Sequence, residues 1–215
     1  MKSVKKISNL KESSVDIFGQ FSTPYSIQDF LNNVIYNAEE ETNSPLKVWE
    51  LQKANCFEGA LFAAAALKSQ GFRPLIVDML AENDDDHVIS IFKKGNLYGA
   101  IAKSNTTLLR FREPVYRSIR ELVMSYFDFY FNTMGQKSLR SYSNPVDLSR
   151  FDKINWINTE TDLGFIGDYL YRIKHHKILT GKQVRALNYA DQELVVLCFS
   201  GAVEEGLFKP VNSEQ

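Results

Sequence analysis

A chain of 215 residues with 25 Lys and Arg against 26 Asp and Glu carries a formal net charge of −1, so no bulk electrostatic pull toward nucleic acid or an anionic membrane is expected. That length can bury a core without disulfides or a structural metal, and the only cysteines, Cys56 and Cys198, do not resemble a secreted disulfide framework or a paired-cysteine metal site. No apolar stretch follows Lys2, Lys5 and Lys6, and nowhere do about 18 apolar residues run together, which predicts a cytoplasmic protein with no membrane partner.

Residues 1–21 are polar, lysine-rich and without periodicity, and read as an N-terminal arm, mobile or loosely docked. The core is expected over 22–135. Ser22 to Ser26 form a turn-like entry, and Ser26 with Asp29 resembles a cap for a helix that turns Ile27, Phe30, Leu31, Val34 and Ile35 inward. The polar cluster Glu39 to Pro45 reads as a solvated face, and a short helical piece follows around Leu46 to Leu51.

Asn55 is a favoured N-cap and Glu58 stands three residues later, a capping box that opens a helix with Cys56 at its first position. The run Leu61 to Leu67 behind it is apolar almost all round, which predicts a central helix packed on both sides and closing at Gly71. Three segments with strand character come next: Arg73 to Leu80, His87 to Phe92 and Leu97 to Ala102. Lys94-Gly95-Asn96 reads as a hairpin turn, and its pairing places His87 opposite a residue between Ala102 and Ser104.

Arg112 to Phe127 reads as a helix with Pro114 in its first turn, continuing into an aromatic cluster that belongs to the core and ending at Gly135. Residues 136–215 are expected to form an accessory segment of the same domain, with a Trp156 region, helices at Asp162 to Ile173 and Gly181 to Ala190, and an apolar piece Leu194 to Phe199. The fold class is therefore α+β: a central helix carrying Cys56 on an antiparallel sheet, with added C-terminal helices.

A cysteine on the first turn of a helix feels the positive end of the macrodipole and unpaired N–H groups, both of which favour thiolate, the nucleophilic form. The plainer alternative is a small buried hydrophobe. A thiol nucleophile needs a base, and of the 3 histidines His87 begins a strand beside the Cys56 helix. Asp84-Asp85-Asp86 before it forms a charged turn that would keep its approach hydrated and raise its pKa by nearby negative charge. The backbone N–H of Cys56 and the side chain of Gln52 are candidate oxyanion donors. Adjacent His175 and His176 point about 100° apart on a helix, and the acidic turn lacks spaced calcium ligands, so neither a metal nor a cofactor is expected.

The segment Asn55-Cys56-Phe57-Glu58-Gly59-Ala60 to Gly71-Phe72-Arg73-Pro74, then Asp86-His87-Val88, then a strand ending near Lys103-Ser104-Asn105, resembles the catalytic core of the transglutaminase-like superfamily of papain-like thiol enzymes. The likeness spans residues about 50 to 105. It implies Cys56 as nucleophile, His87 as base, and a peptide or protein amide as substrate. The family commonly places an Asp on the third strand, whereas Tyr98 to Ala102 offers no carboxylate; Asn105, with Ser104 in reserve, stands in as the residue that orients the imidazole. Gly99 to Asn105 and Arg112 to Tyr116 also resemble a bacterial group whose likeness carries no function. The resemblance leaves two readings, cysteine-dependent acyl transfer or amide hydrolysis, and an inactive member that keeps the fold for binding. A basic patch from Arg110, Arg112, Arg117 and Arg120 is better explained by ion pairs with Glu113 and Glu121 than by nucleic acid.

Overall fold

The structure, a computed structural model, describes residues 17–211. Helix α1 (Pro24–Asn33) is capped three residues earlier than the Ser26 cap expected from the sequence: Thr23 and Ser26 form the capping box and Pro24 takes the first helical position. The helix ends at Asn33, so Ile35 leaves the inward face and is 62 % exposed. Ile35 and Tyr36 instead form a short strand β1 (Ile35–Tyr36) that runs parallel to β2 (Lys53–Ala54), after helix α2 (Pro45–Leu51). This pairing sets Tyr36 opposite Ala54, two residues before Cys56.

Most of the expected arm, residues 1–16, lies outside the described residues. Its last part is firmly docked, since Phe18 and Phe21 are buried against Phe62.

Helix α3 (Cys56–Ser69) begins and ends as its sequence predicts, with the Asn55–Glu58 capping box intact and Gly71 at φ +83° just beyond it. Its residues from Glu58 to Leu67 are all buried, because α1 and α2 cover one side and the sheet the other. Close packing of this helix has a local consequence. A Cβ on Gly59 would collide with the Cβ of Lys103, whose ammonium caps the Leu31 and Val34 carbonyls at the end of α1. Gly59→Ala is expected to cost about 1–3 kcal/mol in urea unfolding, the usual result of overpacking.

The sheet has seven strands: β3 (Leu75–Ala81), β4 (His87–Lys94), β5 (Leu97–Ile101), β6 (Arg112–Tyr116), β7 (Leu139–Ser143), β8 (Val146–Asp147) and β9 (His175–Lys177). Its order is β6-β5-β4-β3-β7-β9, with β8 also on β3, and every pairing is antiparallel. The β4–β5 hairpin pairs Ser90 with Ile101, a register that extrapolates to Ser104 opposite His87, inside the expected window.

One face of the sheet, with Ile76, Val88, Phe92 and Ile101, packs on α3; the other, with Val77, Met79, Ile89 and Ile91, packs on Leu122, Tyr126 and Tyr130. Burial on both faces explains why β3 reads as a continuous apolar run and not as an alternating one.

Arg112 to Tyr116 form the edge strand β6 and not the first turn of a helix. Proline lacks an N–H, so it suits an edge strand as well as a first helical turn, and only the pairing with β5 decides between them. The helix itself, α4 (Ile119–Met124), is short and starts at the Ser118 cap. The expected accessory segment contributes more than a layer. Strands β7, β8 and β9 join the central sheet, helix α5 (Gly164–Arg172) packs Ile166 and Leu170 into the core of the Cys56 helix, and after α6 (Gly181–Arg185) helix α7 (Gln192–Phe199) packs Val195 and Cys198 on Phe131.

Candidate active site

The capping box places Cys56. Glu58 is fully buried, and its carboxylate accepts from the Asn55 N–H (2.8 Å), the Asn43 N–H (2.8 Å), and the side-chain amides of Asn43 (2.7 Å) and Asn37 (3.1 Å to each oxygen). It thus binds the start of α3 to the chain around residues 37–43, the structural role expected for it.

Cys56 is half-buried, and its sulfur lies against the backbone at the beginning of β4. Its S–H donates to the Asp86 carbonyl at 3.7 Å. Burial pushes the thiol up to about 12, and the charges of Asp85 and Asp78 add to that; the Val88 and Phe57 amides aimed at the sulfur favour thiolate but are outweighed. The expectation of a thiolate at the helix N-terminus therefore fails in this closed arrangement, because desolvation exceeds the dipole.

His87 is 4 % exposed. Side chains alternate along β4, so His87 shares the Met79 and Ile89 face while Val88 lies under α3. The imidazole meets the Tyr130 ring edge-on, with centroids 6.3 Å apart. Its Nε2–H donates to the Leu109 carbonyl at 2.9 Å, which fixes the tautomer and leaves the Nδ1 lone pair without a hydrogen bond among the described residues. Burial pushes the ring down to about 4 despite the Leu109 bond, opposite to the upward shift expected from the acidic turn. The turn itself is open to solvent at Asp85 and Asp86, as expected, but the imidazole is buried behind it; within the turn Ser138 donates to Asp84, the Ala81 N–H donates to Asp86, and burial pushes Asp84 up to about 6.

Cys56 and His87 wall one cavity of about 50 Å³, shared with Tyr36, Tyr130 and residues 206–208, but no hydrogen bond joins them among the described residues. The space holds roughly a few water molecules. Outside it, Cys56 borders a groove of about 330 Å³ between Tyr36 to Glu39 and residues 205–208.

Asn105 also lines the inner cavity, yet it makes no hydrogen bond with the imidazole among the described residues. Its amide donates to the Val203 carbonyl at 2.8 Å and accepts from the Val203 N–H at 2.8 Å. Ser104 pairs with Thr106. The orienting position expected for Asn105 is filled by the Leu109 backbone, which no residue type could have announced. Gln52 is exposed, sits at φ 54° after α2 and bonds to Trp49, so it is no oxyanion donor.

Sequence reasoning also missed a buried pair near the sulfur, His175 Nε2 to Asp78 Oδ2 at 3.0 Å. Both ring nitrogens of His175 are engaged, the second with the Ile173 carbonyl, so it offers the thiol no free lone pair. Among the described residues no group of His, Cys, Asp and Glu could hold a metal ion, and no helix is long and apolar enough to cross a membrane. No family model matches the chain, and no curated protein does so either.

Proposed function

We propose that the chain is a transglutaminase-like, cysteine-dependent acyltransferase or amide hydrolase in which Cys56 is the nucleophile and His87 the base. The observation that carries this reading is a thiol on the first turn of a capped helix, in one cavity with an imidazole whose second nitrogen is pinned by a carbonyl. As sulfur bonds to the carbonyl carbon of an amide, the thiol proton passes to His87 Nδ1. The C–N bond then breaks as the imidazolium gives that proton to the leaving amine. Water or a second amine attacks the thioester, the S–C bond breaks, and the thiol is restored. The free N–H of Cys56 on the first helical turn is suited to the developing oxyanion.

A thiol pushed up to about 12 and an imidazole pushed down to about 4 are both neutral at pH 7. Burial is the main cause of both shifts, so admitting water or a polar substrate moves the two groups toward each other and permits the proton transfer. The same neutral pair, in a space too small for a peptide, favours the second reading, a binding protein that keeps the fold without the chemistry.

Intact-protein mass spectrometry after incubation with p-nitrophenyl acetate separates the two. Acylation is expected on the peptide containing Cys56, to vanish in Cys56→Ala, to persist in Cys198→Ala, and to slow roughly 10²-fold or more in His87→Gln. Acylation unaffected by Cys56→Ala or by His87→Gln would remove the catalytic reading.

A further inference from the structure

After α7 the chain turns at Gly201, which has φ +79°, and runs back over the Cys56 cleft. Two asparagines bond its main chain at either end of a 3₁₀ turn, Glu204–Gly206, in which the Gly206 N–H donates to the Val203 carbonyl (3.1 Å) and the Leu207 N–H to the Glu204 carbonyl (3.1 Å). Asn105 bonds both the N–H and the carbonyl of Val203, and Asn83 bonds both the N–H (2.8 Å) and the carbonyl (3.1 Å) of Val211. Each amide side chain exchanges two hydrogen bonds with one residue, as a neighbouring strand would, and this is recognition by backbone that any side chain can satisfy.

Between the clamps, Gly206, Leu207 and Phe208 line both the inner cavity and the outer groove. Gly206 is the exception to side-chain indifference: a Cβ there would lie 2.6 Å from the Tyr36 ring and 3.2 Å from the Asn105 amide. The Tyr36 hydroxyl makes no hydrogen bond among the described residues, so the ring acts here as a wall.

We propose that the Cys56 cleft is a groove for a polypeptide segment that makes a short turn with glycine opposite Tyr36, and that residues 203–211 occupy it in cis through residues 205–208, in competition with such a partner. The proposal deepens the reading of this cleft as the functional one, since it names what the cleft receives. Because a tethered occupant acts at an effective concentration of roughly millimolar, a free peptide gains entry only after the segment is displaced.

The test uses the full chain carrying Gly206→Arg, with iodoacetamide labelling of Cys56 followed by peptide mapping. Displacing the segment hydrates the thiol, and labelling at pH 7 is expected to rise about tenfold or more, a tenfold gain in thiolate for each unit by which the thiol falls. A free decapeptide with the sequence of residues 202–211 is expected to return the rate to the wild-type value in a saturable way. The same peptide with arginine for its glycine is expected to have no effect. Adding Tyr36→Ala to Gly206→Arg makes room for the side chain and is expected to restore slow labelling, which a merely unfolded variant would not do. If Gly206→Arg fails to fold, Gly206→Ala poses the same steric conflict with one methyl group and the same two readouts. Labelling at the wild-type rate in the glycine variants, or faster labelling that no peptide suppresses, overturns the proposal. Loss of acylation with peptide protection intact would instead sink only the catalytic reading.

Discussion

Glu58→Ala is expected to destabilise the protein by about 3–5 kcal/mol, several times the effect of an ordinary helix cap. The carboxylate is fully buried and accepts from two backbone N–H groups and two side-chain amides, on both sides of the Cys56 helix start. Removing it strands donors that burial keeps from water, at about 1–3 kcal/mol for each group left unsatisfied, less what entering water recovers. Asn55→Ala, which removes only the cap to the Glu58 N–H, should cost about 1 kcal/mol. Urea denaturation of both variants reads the contrast. Equal, small losses would show that Glu58 is a cap residue and nothing more. Because the same bonds seat the helix N-terminus, Glu58→Ala should also displace the Cys56 sulfur from the Asp86 carbonyl.

The stability difference between the wild type and His87→Gln is expected to shift by roughly 3 kcal/mol in favour of the variant between pH 7 and pH 4. Burial holds His87 down to about 4 in the folded chain, against an ordinary value of 6.5. As pH falls through 6.5 the unfolded chain takes up a proton that the folded chain refuses until about 4. The stability contributed by neutral His87 is therefore complete above pH 6.5 and is lost on the way down to 4. Glutamine can still donate to the Leu109 carbonyl and does not titrate, so it escapes this loss. The comparison has to be a difference between two proteins, because Asp78 and Asp84 run the other way. Burial pushes both up to about 6, so the folded chain gains stability as they protonate below that value. A pH-independent difference would mean that His87 titrates as an exposed imidazole and that its neutrality in the cleft is not real.

The two groups on which the proposed chemistry rests were legible to different depths. Cys56 stands beside Asn55 and Glu58 in the chain, and the capping box that orients it closes within three residues. His87 follows from the β4–β5 hairpin, whose Gly95 turn sets the pairing through short-range geometry. The third member was not legible. The imidazole's partner is a main-chain carbonyl, which every residue possesses, and Asn105, chosen for its side chain, turns instead to Val203 98 residues away. Pro114 misled for a related reason: its missing N–H fits a first helical turn and an edge strand equally, and the neighbouring strand makes the choice.

By itself the sequence determined the capped helix with its cysteine, the hairpin that begins at the histidine, and an α+β arrangement with Tyr126, Tyr130 and Phe131 of the aromatic cluster inside, though Phe129 is exposed. Each rests on hydrogen bonds and apolar periods that act across a few neighbouring residues. Only the tertiary structure decided the ionisation of the pair, the covering of the cleft by residues 205–208, and the meeting of Asp78 with His175 across 97 positions. Those outcomes depend on how completely water is removed from a group and on which distant backbone comes to rest beside it, quantities set by the packing of the whole sheet and its helices and carried by no local pattern of residues.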